Sequence, residues 1–185
     1  MKSNQLILLY GMPSSGKLTM AKRLQSEGAL LMDNHYFRDF VRPFVELGPE
    51  DWDTYTRGVA KIRSDFFEIL GQLYPKTNHT RYLLTNALFE QDGEILQQFI
   101  KLASDIKAEF IPIELLAKPE VLKSRCQTKA REDRGKIASP EIMDNVLKTN
   151  KLIDIQHPNK LSIDVSDLDE AQTYDKIKNH LAKFD

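Results

Sequence analysis

Short apolar runs alternate along the chain with longer segments in which apolar residues recur every three or four positions. The short runs predict five strands, at 5–10, 29–32, 82–86, 108–115 and 161–165. The first run is apolar without interruption, which indicates a strand buried on both faces of a parallel sheet. Helical spacing predicts helices at 17–27, 34–47 with a break at Pro43, 51–73, 92–104, 119–129, 139–155 and 168–184. This alternation indicates a three-layer α/β/α domain around a mostly parallel five-stranded sheet.

Composition excludes several classes of protein. The 185 residues carry 26 basic and 27 acidic side chains, so there is no basic excess and a dedicated nucleic-acid binder is not expected. Cys126 is the lone cysteine, which excludes an intramolecular disulfide framework and a cysteine-cluster metal site. No apolar run is long enough to span a bilayer, and no signal-peptide pattern opens the chain. We therefore expect one cytoplasmic domain over residues 1–185, with no membrane partner.

A glycine-rich segment follows the first predicted strand, and it reads Gly11-Met12-Pro13-Ser14-Ser15-Gly16-Lys17-Leu18-Thr19. It matches the Gly-x4-Gly-Lys pattern of phosphate-binding loops, in which backbone N–H groups and the next helix N-terminus face phosphate oxygens. Lys17 adds an ammonium group for the terminal phosphates. The alternative is a plain turn between a strand and a helix, but the buried strand before it and the amphipathic helix after it favour phosphate binding.

The residue after Lys17 bears on metal binding. Many such loops place a Ser or Thr there, whose hydroxyl binds Mg²⁺ directly, whereas this chain has Leu18 and brings its hydroxyl one residue later, at Thr19. Mg²⁺ is therefore expected to depend on water, on nucleotide phosphates or on a carboxylate such as that of Asp33. Thr19 is expected to contact a phosphate or the metal.

Polar residues follow the second predicted strand, where Asp33, Asn34 and His35 come directly after an apolar run. Ligands of parallel sheets bind beyond the carboxyl ends of the strands, so Asp33 and His35 are expected on the same side as the glycine-rich loop. Asp33 is a candidate metal contact or general base, and His35 a candidate substrate contact or base. The alternative is that Asp33 or Asn34 only caps the next helix.

Basic residues are concentrated at 118–138, where residues 118–136 carry seven basic and three acidic side chains. Guanidinium groups suit the negative charge of a phosphoryl group in transfer, so Arg125, Arg131 and Arg134 are candidate phosphate contacts on a small basic lid. The alternative is an exposed helix face with ordinary ion pairs.

The loop pattern Gly-x-Pro-x-Ser-Gly-Lys-x-Thr resembles that of nucleoside monophosphate kinases. The chain length, the layout around the loop and the basic segment resemble the shikimate kinase, gluconate kinase and chloramphenicol phosphotransferase group. A branch of that group labelled AAA-family ATPase or kinase-like shares the Asn-His pair after the second strand. The resemblance spans nearly the whole chain. It implies a P-loop NTPase fold, binding of ATP and Mg²⁺, a small-molecule acceptor bound by residues 34–73, and a lid at 118–138.

The long predicted helix at 51–73 has an apolar stripe at Val59, Ile62, Phe66, Ile69, Leu70 and Leu73. Related kinases place an arginine in this region to hold an anionic substrate group, and Arg63 takes that place here; a surface ion pair is the alternative. Asn86, at the end of the third strand, is expected to face the same crevice. Trp52 and the aromatic residues at 36–44 are expected in the core or the pocket wall rather than in a base-stacking platform.

The residues together predict an enzyme that moves the γ-phosphate of ATP to a small-molecule hydroxyl or phosphate acceptor. Its predicted catalytic residues are Lys17, Asp33, His35, Arg125 and Arg131. A nucleoside monophosphate kinase is one alternative, although that family's acceptor motifs are missing from the sequence. A nucleotide-binding regulatory module without catalysis is the other, because Leu18 replaces a metal ligand and no Asp-x-x-Gly follows Asn86. The sequence does not predict an oligomeric state.

Overall fold

The sheet has the parallel architecture that the sequence predicts. A computed structural model describes residues 4–44, 51–127 and 137–185. The described strands are β1 (Asn4–Tyr10), β2 (Leu30–Asp33), β3 (Arg81–Asn86), β4 (Ala108–Leu116) and β5 (Leu161–Asp164). They form one sheet in the order β2-β3-β1-β4-β5, and every neighbouring pair is parallel. The carboxyl ends of the strands therefore meet at one edge of the sheet.

Helices lie between the strands and after β5. Those that the structure describes are α1 (Lys17–Ser26), α2 (Asn34–Val41), α3 (Trp52–Leu73), α4 (Gly93–Asp105), α5 (Pro119–Cys126), α6 (Pro140–Thr149) and α7 (Glu170–Leu181). The break expected at Pro43 is confirmed, because α2 ends at Val41 and passes into a 3₁₀ turn, Arg42–Phe44. The N-cap of α6 is Ser139, whose Oγ accepts a hydrogen bond from the backbone N–H of Ile142.

Alternate residues of β1 reach opposite cores, as the two-residue period of a strand requires. Leu6 and Leu8 pack with the apolar faces of α2, α3 and α4. Ile7 and Leu9 pack on the other side with α1 and α7. Both faces of the sheet are thus covered by helices, which confirms the three-layer α/β/α arrangement.

The predicted helix at 139–155 is wrong at its carboxyl end. Helix α6 stops at Thr149, and Asn150 has the extended angles φ −128° and ψ 140°. The residues that follow run as irregular chain across the α4 side of the sheet: the Ile153 N–H donates to Leu88 O at 3.1 Å, and Ile155 is buried in the core. Ile155 is thus buried as part of an irregular segment and not as the last residue of a helix.

The lid predicted at 118–138 is described only in part. Helix α5 and residues 137–138 belong to the described chain, whereas Arg131 and Arg134 lie outside the described residues. Within the described ranges, the structure has no helix long and apolar enough to cross a membrane.

Candidate nucleotide and acceptor site

The glycine-rich loop joins β1 to α1 through backbone conformations that favour glycine. Gly11 has φ 153° and Gly16 has φ 93°. A Cβ on Gly11 would lie 2.4 Å from the backbone oxygen of Leu115 in β4, so a side chain does not fit there. Gly16 is the N-cap of α1 and offers no side chain to the helix's first N–H groups, which stay available to an anion.

Lys17 folds back over this loop. Its Nζ donates to Gly11 O at 2.9 Å and to Met12 O at 2.8 Å, with Ser15 Oγ at 3.4 Å. Phosphate oxygens are charged acceptors and bind an ammonium more strongly than carbonyl oxygens do. The buried hydroxyl of Ser14 has no hydrogen-bond partner among the described residues. The loop thus fits a polyanionic ligand that supplies acceptors to Lys17 and a partner to Ser14.

Leu18 and Thr19, at the start of α1, differ in exposure. Leu18 is half-buried and packs against the core on the α1 side of the sheet, Thr19 is exposed, and both line the cavity described below. Within the described part of the chain, no three His, Cys, Asp or Glu side chains are grouped so that they could hold a metal ion. A metal in this site would need oxygen ligands from a nucleotide as well as from the protein.

Asp33 ends β2 and is buried among hydrogen-bond donors. Its Oδ1 accepts from Thr85 Oγ1 at 2.6 Å, lies 2.9 Å from the Nδ1 of His35, and accepts from the His35 backbone N–H at 3.3 Å. Burial would raise the pKa of Asp33, but the bonds from His35 and Thr85 outweigh burial and lower that pKa to about 2. The carboxylate is therefore ionised at neutral pH. Asp33 is also the N-cap of α2. The helix-capping role that the sequence analysis gave as the alternative is therefore present, and the same residue also lies at the end of β2.

Arg63 projects from α3 into a buried position, with 4% of the residue exposed. Its Nε donates to Gln98 Oε1 at 3.2 Å, and its Nη1 donates to Asn34 Oδ1 at 3.4 Å. No carboxylate of the described residues comes within 4 Å of the guanidinium, so the surface ion pair considered as an alternative is absent from that part of the chain. Burial lowers the pKa of Arg63, and the charge of Asp92 opposes that change.

Asn86 and Arg125 reach the site from opposite sides of β1. Asn86 pairs in register with Tyr10, the residue before the loop, and its buried Nδ2 has no hydrogen-bond partner in the described chain. Arg125 extends from α5, and its Nη2 donates to Val165 O at 2.9 Å, just after β5. An unpaired amide and a guanidinium therefore flank the glycine-rich loop.

One cavity, of about 1760 Å³, brings these groups together at the carboxyl edge of the sheet. Its walls include residues 13–19 of the loop together with Asp33, His35, Arg63, Asn86 and Arg125. Gly11 lies behind the loop, against Leu115. The residues that the sequence singles out from five separate segments thus line one cavity, apart from Gly11 and the two arginines outside the described ranges.

The cavity is also lined by side chains that sequence analysis did not single out, three of them within the predicted acceptor region 34–73 and one, Gln98, outside it. Asn34 and Gln98 hold Arg63, and Arg38 holds Tyr55 through a 3.1 Å bond from Nε to the hydroxyl. The signal for Tyr55 was available, because it lies eight residues before Arg63 and therefore near the same face of a helix. Nothing local in the sequence marks Gln98, which reaches the cavity from α4.

Comparison with solved structures establishes the fold. A presumed kinase from Chloroflexus aurantiacus J-10-fl is similar over 100% of both chains, with 18% identity and a TM-score of 0.68. A gluconokinase from Sinorhizobium meliloti 1021 is similar over 99% of this chain and 94% of its own, with 15% identity and a TM-score of 0.61. A sugar kinase from Janibacter sp. HTCC2649 covers 97% and 95%, with 13% identity and a TM-score of 0.61.

Sequence comparison adds no closer relative. No protein-family model matches the chain, and no curated protein matches it either. At identities below 20%, the structural likeness shows the fold and not the activity. The chain has the fold of P-loop kinases of small molecules, of the gluconate and shikimate kinase type.

Proposed function

We propose that the protein is an ATP-dependent phosphotransferase that moves the γ-phosphate of ATP to a hydroxyl or phosphate group of a small molecule. The observation that carries the proposal is that the glycine-rich loop, Asp33 and Arg63 line the same cavity. Phosphoryl transfer requires the donor and the acceptor to be held together while the developing negative charge is stabilised. The kinase-like fold is consistent with this chemistry. We further propose a cytoplasmic location and no nucleic-acid partner.

ATP is assigned to the loop and to the start of α1. Backbone N–H groups of residues 14–19 would bind the phosphates, and the ammonium of Lys17 would exchange its carbonyl partners for phosphate oxygens. The unpaired Ser14 hydroxyl is a further donor. Arg125 lines the same cavity and is proposed as a contact that neutralises charge. Arg131 and Arg134 remain proposed lid contacts.

The acceptor is assigned to the other half of the cavity. Asp33 is held by Thr85 and His35, so its carboxylate is fixed in place and can orient an acceptor hydroxyl. A carboxylate with a pKa of about 2 is a weak base, which suits positioning better than full proton removal. Arg63 and Asn86 would bind other polar groups of the acceptor.

Magnesium would be held mainly by the nucleotide phosphates, with Asp33 and Thr19 as the proposed protein contacts. When bound, it would supply positive charge to the phosphate oxygens. Leu18 offers no oxygen ligand, so this site relies on the chain less than loops with a Ser or Thr at that position do.

The test compares wild-type protein with Lys17→Ala and with Lys148→Ala, a change of an exposed lysine on α6. ATP with Mg²⁺ should raise the unfolding temperature of wild type and of Lys148→Ala but not of Lys17→Ala. Adding a pool of hydroxyl metabolites should then increase ADP release above the ATP-only rate. Equal ATP stabilisation of all three proteins would contradict the assignment of the loop.

The same assay separates the two alternatives. ATP binding without any acceptor-stimulated turnover would favour a nucleotide-binding regulatory module. Turnover stimulated only by nucleoside monophosphates would favour a nucleoside monophosphate kinase.

A further inference from the structure

One side of α3 forms a wall of the cavity. The wall residues are Trp52, Tyr55, Thr56, Arg57, Val59, Ala60 and Arg63, and most of them recur at helical spacing. The last of these residues lies eleven positions after the first, so this wall runs about 16 Å along the helix axis. Its ends differ in chemistry, because one carries an indole ring and the other a guanidinium group.

The Arg63 end is close to the catalytic groups. Its guanidinium bonds to Asn34, which directly follows Asp33 in the chain. Both of its observed partners, Asn34 and Gln98, are neutral amides, so the positive charge is not neutralised by a hydrogen-bonded carboxylate of the described chain. A buried cation of this kind is stabilised when an anionic group binds beside it.

The opposite end presents an aromatic surface. Trp52 is 53% exposed, although it lies in the cavity wall. Its ring packs against Tyr55 with centroids 5.5 Å apart and planes tilted by 37°. Tyr55 is in turn held by Arg38. The indole is thus supported on one side while a large part of it stays accessible to a ligand.

The stretch between the two ends is mixed in chemistry. Val59 and Ala60 offer no hydrogen bonds, the Thr56 hydroxyl already donates to Asp53 O at 3.1 Å, and the exposed Arg57 also lines the cavity. A second guanidinium between the ends is compatible with an anionic ligand. A flat ring at the Trp52 end would gain by stacking on the indole and would need no hydrogen-bond partner there.

We propose that this face of α3 binds an acceptor that combines an anionic group, held at Arg63, with an aromatic ring, stacked on Trp52. The inference rests on the proposed phosphotransferase function and names the substrate class of that site. A nucleoside monophosphate and an aromatic hydroxy acid share this chemistry, and the test distinguishes them.

Trp52 is the only tryptophan in the chain, so its fluorescence reports on this wall alone. The probes are uridine monophosphate and 3-hydroxybenzoate, which have both features, with uridine and gluconate, which each lack one. Titrations are run with and without saturating ADP, so that binding at the glycine-rich loop is separated from binding at α3. We expect one of the two probes that have both features to change the fluorescence and to bind about tenfold more tightly than uridine or gluconate. Which of the two binds shows whether the acceptor is a nucleoside monophosphate or an aromatic hydroxy acid.

Variants then test each end by calorimetry with that probe. Trp52→Leu should weaken binding about tenfold, the size of ring stacking, and Trp52→Phe should restore most of it. Arg63→Met should remove the advantage of the anionic probe over a neutral ring. Phe40→Leu is the matched control, since Phe40 is also exposed but does not line the cavity, and it should bind as wild type does.

The outcomes separate this inference from the proposed function. The acceptor class is wrong if neither complete probe alters the fluorescence, if gluconate binds as tightly, or if Trp52→Leu behaves like Phe40→Leu. Each of these can occur while ATP still stabilises the protein through Lys17, which leaves the phosphotransferase intact. If ATP does not bind, the proposed function fails, whereas ring binding without ADP still shows whether α3 carries the subsite.

Discussion

Thr85 Oγ1 donates a hydrogen bond of 2.6 Å to Asp33 Oδ1, across two neighbouring strands whose Cα atoms are paired at that register. The bond joins the ends of β2 and β3 at the edge of the sheet where the cavity opens. Parallel register alone sets the two side chains side by side, because residues paired across strands point to the same face. The position of the carboxylate in the site is thus a property of the sheet and not of a loop.

The charge of Asp33 should stabilise the protein only above acidic pH. The pKa of Asp33 is about 2 in the folded protein and about 3.9 in an unfolded chain. Since the folded value is the lower one, the contribution of about 2 kcal/mol is present above pH ~4 and is lost as the pH falls through ~2. Asp33→Asn keeps a helix cap, so the free energy lost through this change in urea unfolding should shrink from pH 6 to pH 2.

Asp175→Asn is the control for that series, because Asp175 is an exposed aspartate on α7. Its effect on urea unfolding should be small, within about 0.5 kcal/mol. If the Asp33→Asn difference stayed constant over the whole pH range, the bonds from Thr85 and His35 would not be favouring the ionised carboxylate.

The loop should tolerate no side chain at Gly11. A Cβ there would lie 2.4 Å from Leu115 O, and the backbone has φ 153°. Gly11→Ala should therefore lower the free energy of unfolding by more than ~1 kcal/mol and abolish the stabilisation by ATP. Gly93→Ala is the matched control: Gly93 has φ −55° and open space around it, so this change should stabilise the protein by about 0.5 kcal/mol. Similar losses from both variants would show that the close approach of Gly11 to β4 is unimportant.

The sheet, its helices and the glycine-rich loop were predictable because they depend on local patterns. Apolar runs predicted the five strands, and the spacing of Gly11, Gly16 and Lys17 marked the loop. The position of Asp33 followed from the rule that polar residues at the ends of parallel strands gather at one edge. These inferences required no knowledge of which helix packs on which.

Which side chains are buried depends on tertiary packing, which local patterns do not reveal, and α3 is an example. Val59 and Leu70 are buried as its predicted apolar stripe required, whereas Phe66, Ile69 and Leu73 are exposed. Arg63 is buried instead: its guanidinium lines the cavity and donates hydrogen bonds to the side-chain amides of Gln98 and Asn34. Helical spacing identifies a face but does not say whether that face meets a core or a cavity. Trp52 was expected in the core or the pocket wall, and it lies in the wall of the cavity. The same prediction is wrong for most of the aromatic residues at 36–44, because only Phe37 is buried and the other three are exposed outside the cavity wall.

We expect Arg63 to contribute to ligand binding but not to the free energy of unfolding. Its guanidinium is buried with neutral partners, so the cost of removing its charge from water is not repaid by an ion pair in the described chain. Arg63→Met keeps much of the side-chain volume and should leave the free energy of unfolding within about 1 kcal/mol of wild type, or raise it. Acceptor-stimulated ADP release should nevertheless fall.

The measurements for Arg63 are urea unfolding and ADP release on the same preparations. Arg42→Met, a change of an exposed arginine in the 3₁₀ turn after α2, should alter neither quantity. A loss of more than ~3 kcal/mol for Arg63→Met would assign the residue to the folded framework instead.

Lys160 should contribute far more to the free energy of unfolding than Lys151, which lies in the same irregular segment between α6 and β5. Its Nζ lies 3.1 Å from Glu114 Oε2 in β4, and the two side chains are 18% and 11% exposed. Lys160→Met would leave the carboxylate without its buried cation, and we expect a loss of about 3 kcal/mol in urea unfolding. Lys151→Met also breaks an ion pair, with Glu90 at 3.0 Å, but that pair is exposed and should cost under ~1 kcal/mol. Adding Glu114→Leu to Lys160→Met removes the unpaired buried carboxylate and should recover part of the lost free energy of unfolding. Equal effects of the two lysine variants would mean that Lys160 does not anchor the segment between α6 and β5.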